Sequence, residues 1–287
     1  MIRRLRIRTR VTRSLGGNTL VLLFMLLAGA FTVLPILYSV LNAFKPINEL
    51  FLYPPRFFVS HPTLDNFTEL IKQQQDMLVP FERYLFNSVL VTVVATTAYM
   101  VLAALAAYPM AKHDFPGKAA LMAVVVGAIL FRPEVTAIPQ FIIISKLYMV
   151  DTYASLILPA LATSFGVFLM RQFMSTIPDE LLESARLDGA GEWGSFWRIV
   201  MPISRPAWLT LVILTFQSVW NTTGVQYIYS ENLKMLPTAL NQISTAGLSR
   251  AGVGSAVALL LMLPPIVIFM ISQGSVMQTM AHSGLKS

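Results

Sequence analysis

The chain has 287 residues, of which 55% are hydrophobic and only 12% charged, and its mean hydropathy is +0.65. Ordinary soluble domains carry about twice that charged fraction, so the composition excludes a simple soluble domain. The absence of cysteine excludes disulfides, thiolate metal sites and a cysteine nucleophile, and the net charge of +7 raises nucleic acid as a partner until the charges are mapped.

A membrane helix needs about 20 mostly apolar residues to cross about 30 Å of hydrocarbon. A basic arm, 1–18, holds six arginines and reads as a topology signal with attraction to anionic lipid. It enters an uncharged run, Ser14–Phe44, that is longer than a signal-peptide core and reads as an uncleaved anchor. The first predicted span is 19–44. Segment 45–84 is a long outer loop, where Tyr53-Pro54-Pro55 and His61-Pro62 mark turns. Thr63 or Asp65 is placed there to cap a short helix. Spans follow at 85–111, 119–145 and 152–174, then a polar loop at 175–205. A fifth span at 206–229, an outer loop at 230–252, a sixth span at 253–276 and a tail at 277–287 complete the chain. The predicted class is therefore an all-α integral membrane protein with six transmembrane helices.

Two spans carry a pair of prolines each: Pro133 and Pro139 in the third, Pro264 and Pro265 in the sixth. Proline lacks a donor and crowds the preceding turn, so both helices are expected to bend or break. In lipid such breaks survive where other helices or a cavity cover the freed carbonyls. Arg132 and Glu134 flank Pro133. A buried ion pair is costly without further partners, so the two residues are read as a structural or gating feature rather than a sugar contact.

With the N-terminus inside, the inside segments hold 13 basic and six acidic residues. The outside segments balance seven of each. The positive-inside rule favours this orientation, with both termini cytoplasmic. The whole net charge then lies on the cytoplasmic face, and no nucleic acid is needed to explain it.

The polar loop between the fourth and fifth spans contains the stretch PDELLESARLDGAGEWGSFWRIVMP. Thr176 is placed as its N-cap, with Asp179 three residues on. Asp179 and Glu180 suit a first helical turn. Leu181, Leu182 and Ala185 are placed on one face, and Glu183 lies within reach of Arg186. Gly189 suits the C′ position, and a second amphipathic piece runs to Pro202. The loop thus reads as helix, glycine turn, helix; a hairpin lying on lipid remains the alternative.

The spacing Glu183-Ser184-Ala185, then Gly189, then Ile199-x-Met201-Pro202 resembles the E-A-A-x-x-x-G signature of permease subunits of binding-protein-dependent ABC importers. Serine replaces the middle alanine and methionine replaces leucine. The stretches at 42–46, 62–67, 87–92, 132–141, 152–159 and 220–221 resemble the smaller six-span subunit of carbohydrate importers of the maltose-permease type. The resemblance implies a type I importer fold in a bacterial cytoplasmic membrane. It implies a second, different permease subunit, two ATP-binding subunits and an extracytoplasmic solute-binding protein. The loop would be a coupling helix, with Glu183, Ser184, Ala185, Asp188 and Gly189 at the ATPase. ATP and Mg would sit on that partner, with no cofactor on this chain; Gly117-Lys118 lacks the other residues of a phosphate loop.

Gln217, Trp220, Asn221, Thr222 and Gln226 make the fifth span unusually polar, which is expected for a substrate pathway or for helix–helix hydrogen bonds. His61, His113 and His282 have no metal-ligand spacing and are given surface roles. A membrane-embedded enzyme would need a convergent set of His, Asp, Glu or Ser at membrane depth, and the predicted spans offer no histidine and one acid, Glu134. A secondary transporter would show internal repeats and intramembrane ionisable residues. Within the family, a permease for a peptide or an amino acid remains the alternative.

Overall fold

The computed structural model describes residues 15–75, 79–244 and 251–283. The described residues form helices and turns: α1 (Leu15–Ala43), α2 (Ile47–Leu50), α3 (Asp65–Gln75), α4 (Phe81–Lys112), α5 (Lys118–Ile129), α6 (Pro133–Lys146), α7 (Tyr153–Leu161), α8 (Phe165–Met174), α9 (Asp179–Leu187), α10 (Glu192–Ser195), α11 (Met201–Ile203), α12 (Arg205–Trp220), α13 (Leu236–Ser244) and α14 (Ala251–Ser283). Residues 1–14 of the basic arm, with all six of its arginines, and the end of the tail lie outside the described residues.

The core is organised around α4, which packs on α7, α8 and α12, while α12 also packs on α14. The buried face of α4 carries Ser88, Val91, Ala95, Tyr99, Ala103 and Ala107, a helical repeat rich in small residues that lets backbones approach closely. By contrast, none of the most apolar stretch of α1 is buried inside the chain. Among the described residues, three helices are long and apolar enough to cross a membrane: Thr19–Ala43, Phe81–Lys112 and Ala251–Gly274. Three bent pairs bring the number to six if each pair is one span.

Those bent pairs are where the structure departs from straight spans. The predicted third span is two helices, α5 and α6, meeting at 109°. Pro133 sits in the first turn of α6, where its missing N–H costs nothing. The predicted fourth span is α7 and α8, bent by 42°. Tyr99 of α4 bridges that break: its hydroxyl donates to Thr163 O (3.0 Å) and accepts the Gly166 N–H (2.6 Å).

The predicted fifth span is too long. Its helix, α12, ends at Trp220. Asn221 Nδ2 and Thr222 Oγ1 donate back to the carbonyls of Gln217 and Ser218 (2.8 and 2.9 Å), and Gly224 turns the chain at φ +65°. Such local bonds compete with helix continuation. In the sixth span the expected break does not occur, for α14 runs continuously through Pro264 and Pro265. In the outer loop 230–252, the described residues form a 3₁₀ turn at Glu231–Leu233 followed by α13.

The first outer loop is pinned by a buried carboxylate. Glu49 accepts the Ser60 and His61 amides (3.0 and 2.9 Å) and lies 3.0 Å from His61 Nδ1. Thr63 takes the capping role, accepting the Asp65 amide at 3.1 Å. His61 is therefore tied to Glu49 at the backbone and the ring, although its side chain is largely exposed.

Candidate functional site

The polar hairpin, α9 and α10, sits beneath the C-terminal end of α4. Pro178 precedes α9 with extended backbone. Thr176 does not cap it, because its hydroxyl donates to Phe173 O instead (2.8 Å). Asp179 is used as a tether: Lys112 Nζ donates to its Oδ1 at 2.6 Å and also to Ile177 O. That hydrogen bond and the ammonium charge hold the Asp179 carboxyl below the ordinary carboxylate range. The tether is thus present at neutral pH and is lost as pH falls through the lowered value.

The end of α9 is a complete Schellman motif. Gly189 N–H donates to Arg186 O (3.0 Å) and Ala190 N–H to Ala185 O (2.9 Å). Gly189 adopts φ +84°, and a Cβ there would meet no atom within 4 Å. Leu182 and Ala185 are buried against the chain's own core, whereas Leu181 is 45% exposed, so it does not share their face. Arg186 pairs with Glu192 at 2.8 Å rather than with Glu183. The open side of the hairpin presents Glu183, Ser184 and Asp188 beside Leu187 at 90% exposure and Trp193 at 67%. An exposed apolar surface rimmed by carboxylates fits a protein partner.

A cavity of about 540 Å³ opens at the two helix breaks. It lies between α6, α7, the start of α8 and the end of α12, with Gln140, Ser155, Thr163, Ser218, Gln226 and Tyr227 among its polar lining. Tyr227 donates to Gln140 Oε1 (3.1 Å) and stacks on Phe141 (6.3 Å between centroids). Its loop is fixed from behind: Asp151 Oδ1 accepts the amides of Tyr229 and Ser230 (3.0 and 2.9 Å).

The residues predicted from the fifth span separate. Thr222 and Gln226 line this cavity, while Gln217 and Asn221 are exposed elsewhere. Trp220 is buried in a core cluster, its Nε1–H donating to Leu261 O of α14 (3.0 Å). Arg132 Nε and Glu134 Oε2 lie 3.7 Å apart with both side chains mostly exposed. The helix break places the pair at the start of α6, not in the middle of a lipid-covered helix. Phe131 and Thr136, on either side, line the cavity. Gln140 was missed from sequence, although Thr136 and Gln140 stand four apart in the mostly apolar middle of α6, a spacing that marks one polar face.

A family model described as the binding-protein-dependent transport system inner membrane component matches residues 83–282. The chain belongs to that family. This inner membrane component is a transport subunit, not an enzyme. It is 31% identical over 275 residues to the probable ABC transporter permease protein YurM of Bacillus subtilis, covering 94% of this chain and 89% of the relative. It is likewise 31% identical to the polygalacturonan/rhamnogalacturonan transport system permease protein YtcP of Bacillus subtilis, over 77% of this chain and 75% of the relative. Its fold is that of a crystallised bacterial ABC transporter involved in the import of the acidic polysaccharide alginate, with a TM-score of 0.77, 18% identity, and coverage of 91% of this chain and 98% of that one. This is the type I ABC importer permease fold.

The permease gives Gly189 a testable role. Because a Cβ there meets nothing, Gly189→Val acts through backbone strain alone, about 1–2 kcal/mol. Amide exchange at the end of α9 should rise about tenfold in Gly189→Val and less in Gly189→Asn, since asparagine tolerates positive φ. Equal effects of the two substitutions would overturn this account.

Proposed function

We propose that this chain is one half of the translocation pathway of an ATP-driven importer for a sugar or oligosaccharide. An extracytoplasmic solute-binding protein delivers the substrate, a second and different permease subunit completes the pathway, and two ATP-binding subunits carry ATP and Mg. The hairpin 178–202 docks on the ATPase. The observation that carries the reading is the Schellman-closed α9 with its E-x-A-x-x-x-G spacing and exposed Glu183, Leu187 and Trp193.

The excess of basic residues at the hairpin end supports placing that end in the cytoplasm, together with both termini. Motion at the hairpin then biases a two-state equilibrium of the helices, exposing the cavity to one side or the other.

The cavity supports a saccharide. Its lining combines amides and hydroxyls with the aromatic rings Phe131, Phe165 and Tyr227, the groups that match sugar hydroxyls and sugar faces. The names of the polygalacturonan/rhamnogalacturonan relative and of the alginate importer point to the same class.

Uptake by the reconstituted complex tests this across neutral and acidic oligosaccharides, peptides and amino acids. Gln140→Ala and Gln226→Ala should each raise the KM for the preferred saccharide about three- to tenfold, the worth of one lost hydrogen bond. Unchanged KM values for every saccharide, or uptake of a peptide or amino acid alone, would overturn the saccharide reading.

A further inference from the structure

The hairpin is joined to α4 by more than the Asp179 tether. Glu192, the first residue of α10, receives a hydrogen bond on each carboxylate oxygen. Arg186 Nη2, in the last turn of α9, donates to Oε1 at 2.8 Å, and the Tyr108 hydroxyl of α4 donates to Oε2 at 3.0 Å. His113, at the C-terminal cap of α4, brings Nε2 to 3.3 Å from the same Oε2. Ring contacts back the cluster, with Tyr108 lying edge-on to His113 at 5.4 Å and tilted against Phe196 at 5.3 Å. One carboxylate therefore connects three elements: the helix offered to the partner, the helix that returns to the membrane, and the central helix of the bundle. His113 is part of this junction, which corrects its predicted surface role.

We propose that Glu192 is a positioning residue that makes α9 and α4 move as one body, so that displacement of the docked hairpin reaches the transport helices. The inference rests on the docking role proposed for α9. The geometry separates two jobs. The open side of α9 meets the partner, while the Glu192 junction lies on its other side and transmits what the partner does. Neutral hydrogen bonds are roughly half as strong as those to a charged group. A glutamine at 192 also has only one acceptor atom for two donors. Glu192→Gln therefore loosens the junction without changing its shape, and a partner then moves α9 without moving α4 in step.

The test uses the full complex with its ATPase and binding protein, read in three ways: co-purification of the ATPase, ATP hydrolysis, and substrate uptake. Glu192→Gln should keep co-purification and lower uptake per ATP about tenfold, the ratio expected when one charge-assisted bond is reduced to a neutral one. Tyr108→Phe, which removes one of the two α4 contacts and leaves that of His113, should shift the ratio in the same direction by less. The chain has no cysteine, so Tyr108→Cys with Glu192→Cys gives a pair that a cleavable bifunctional thiol reagent can bridge with no other thiol in this chain to compete. Bridging should restore the ratio, and cleavage should lower it again.

An unchanged ratio in Glu192→Gln, or a bridge that restores nothing, overturns the transmission role. Loss of co-purification in Glu192→Gln overturns it too, because Glu192 would then shape the docking surface. Glu183→Lys distinguishes the parent reading: if that variant keeps the ATPase and full uptake, the docking assignment itself has failed.

Discussion

Glu183→Lys is expected to leave the permease inserted at parental abundance, to remove the ATPase on co-purification, and to abolish ATP-coupled uptake. The fold gives the reason for the first part. Glu183 is exposed on α9, and among the described residues no cation of the chain lies within ion-pair distance of it. The hairpin is held by other groups: buried Leu182 and Ala185, the Lys112–Asp179 tether, and the Gly189 turn. A surface substitution away from such contacts changes stability by about 0.5 kcal/mol or less.

The second part follows from what an interface does to an exposed carboxylate. In water an ion pair of this kind contributes about 0–1 kcal/mol. Once the neighbouring Leu187 and Trp193 surface is covered by a partner, solvent is excluded and the pair is worth more. Truncating one member of such a hydrogen-bonded pair costs roughly 2–5 kcal/mol in affinity. Charge reversal adds repulsion against the partner's Arg or Lys. Glu183→Gln, which keeps the shape and one acceptor, should fall between parent and Glu183→Lys. Parental uptake by Glu183→Lys would sink the assignment.

Most of the hairpin was legible because its signals are local. Gly189 has one reason to follow a helix ending in Leu187-Asp188, and the structure shows that reason as two paired backbone bonds. Local patterning failed where the deciding partner is far along the chain. Thr176 looks like a cap, yet Lys112, on another helix, has already bound the first turn through Ile177 O and Asp179. Leu181 looks apolar and inward, but the core beneath α9 has room for Leu182 and Ala185, not for it.

The cavity was less legible for the same reason. It exists because two spans break, and a hydropathy window averages over a break of three residues. The break Ala162-Thr163-Ser164 itself holds no proline, Pro159 lying within the last turn of α7; the bend is bridged by Tyr99, 64 residues upstream of the Thr163 carbonyl it binds. Polar residues counted along the fifth span as though on one helix were divided by its early end, so Thr222 and Gln226 reach the cavity and Trp220 does not.

Trp220 carries the other large effect. It is 3% exposed, lies parallel to Phe216 with centroids 5.8 Å apart, and donates its indole N–H to Leu261 O. Leu261 stands four residues before Pro265. In an uninterrupted helix the amide at position 265 would bond that carbonyl, but proline has no N–H and its ring crowds the same oxygen. The indole thus supplies the donor that Pro265 withholds, and α14 passes its two prolines without a break.

Trp220→Ala should destabilise the permease by about 3–5 kcal/mol, the usual cost of deleting a buried aromatic side chain. Trp220→Phe keeps a ring in place but orphans the carbonyl, at about 1–3 kcal/mol. Thermal unfolding in detergent reads both. The decisive step is the double variant. Pro265→Ala returns an amide to the helix and satisfies Leu261 O from within, so Trp220→Phe should then cost much less than in the parent. If Trp220→Phe costs the same with alanine at 265 as with proline, the indole is packing there and not replacing the missing donor.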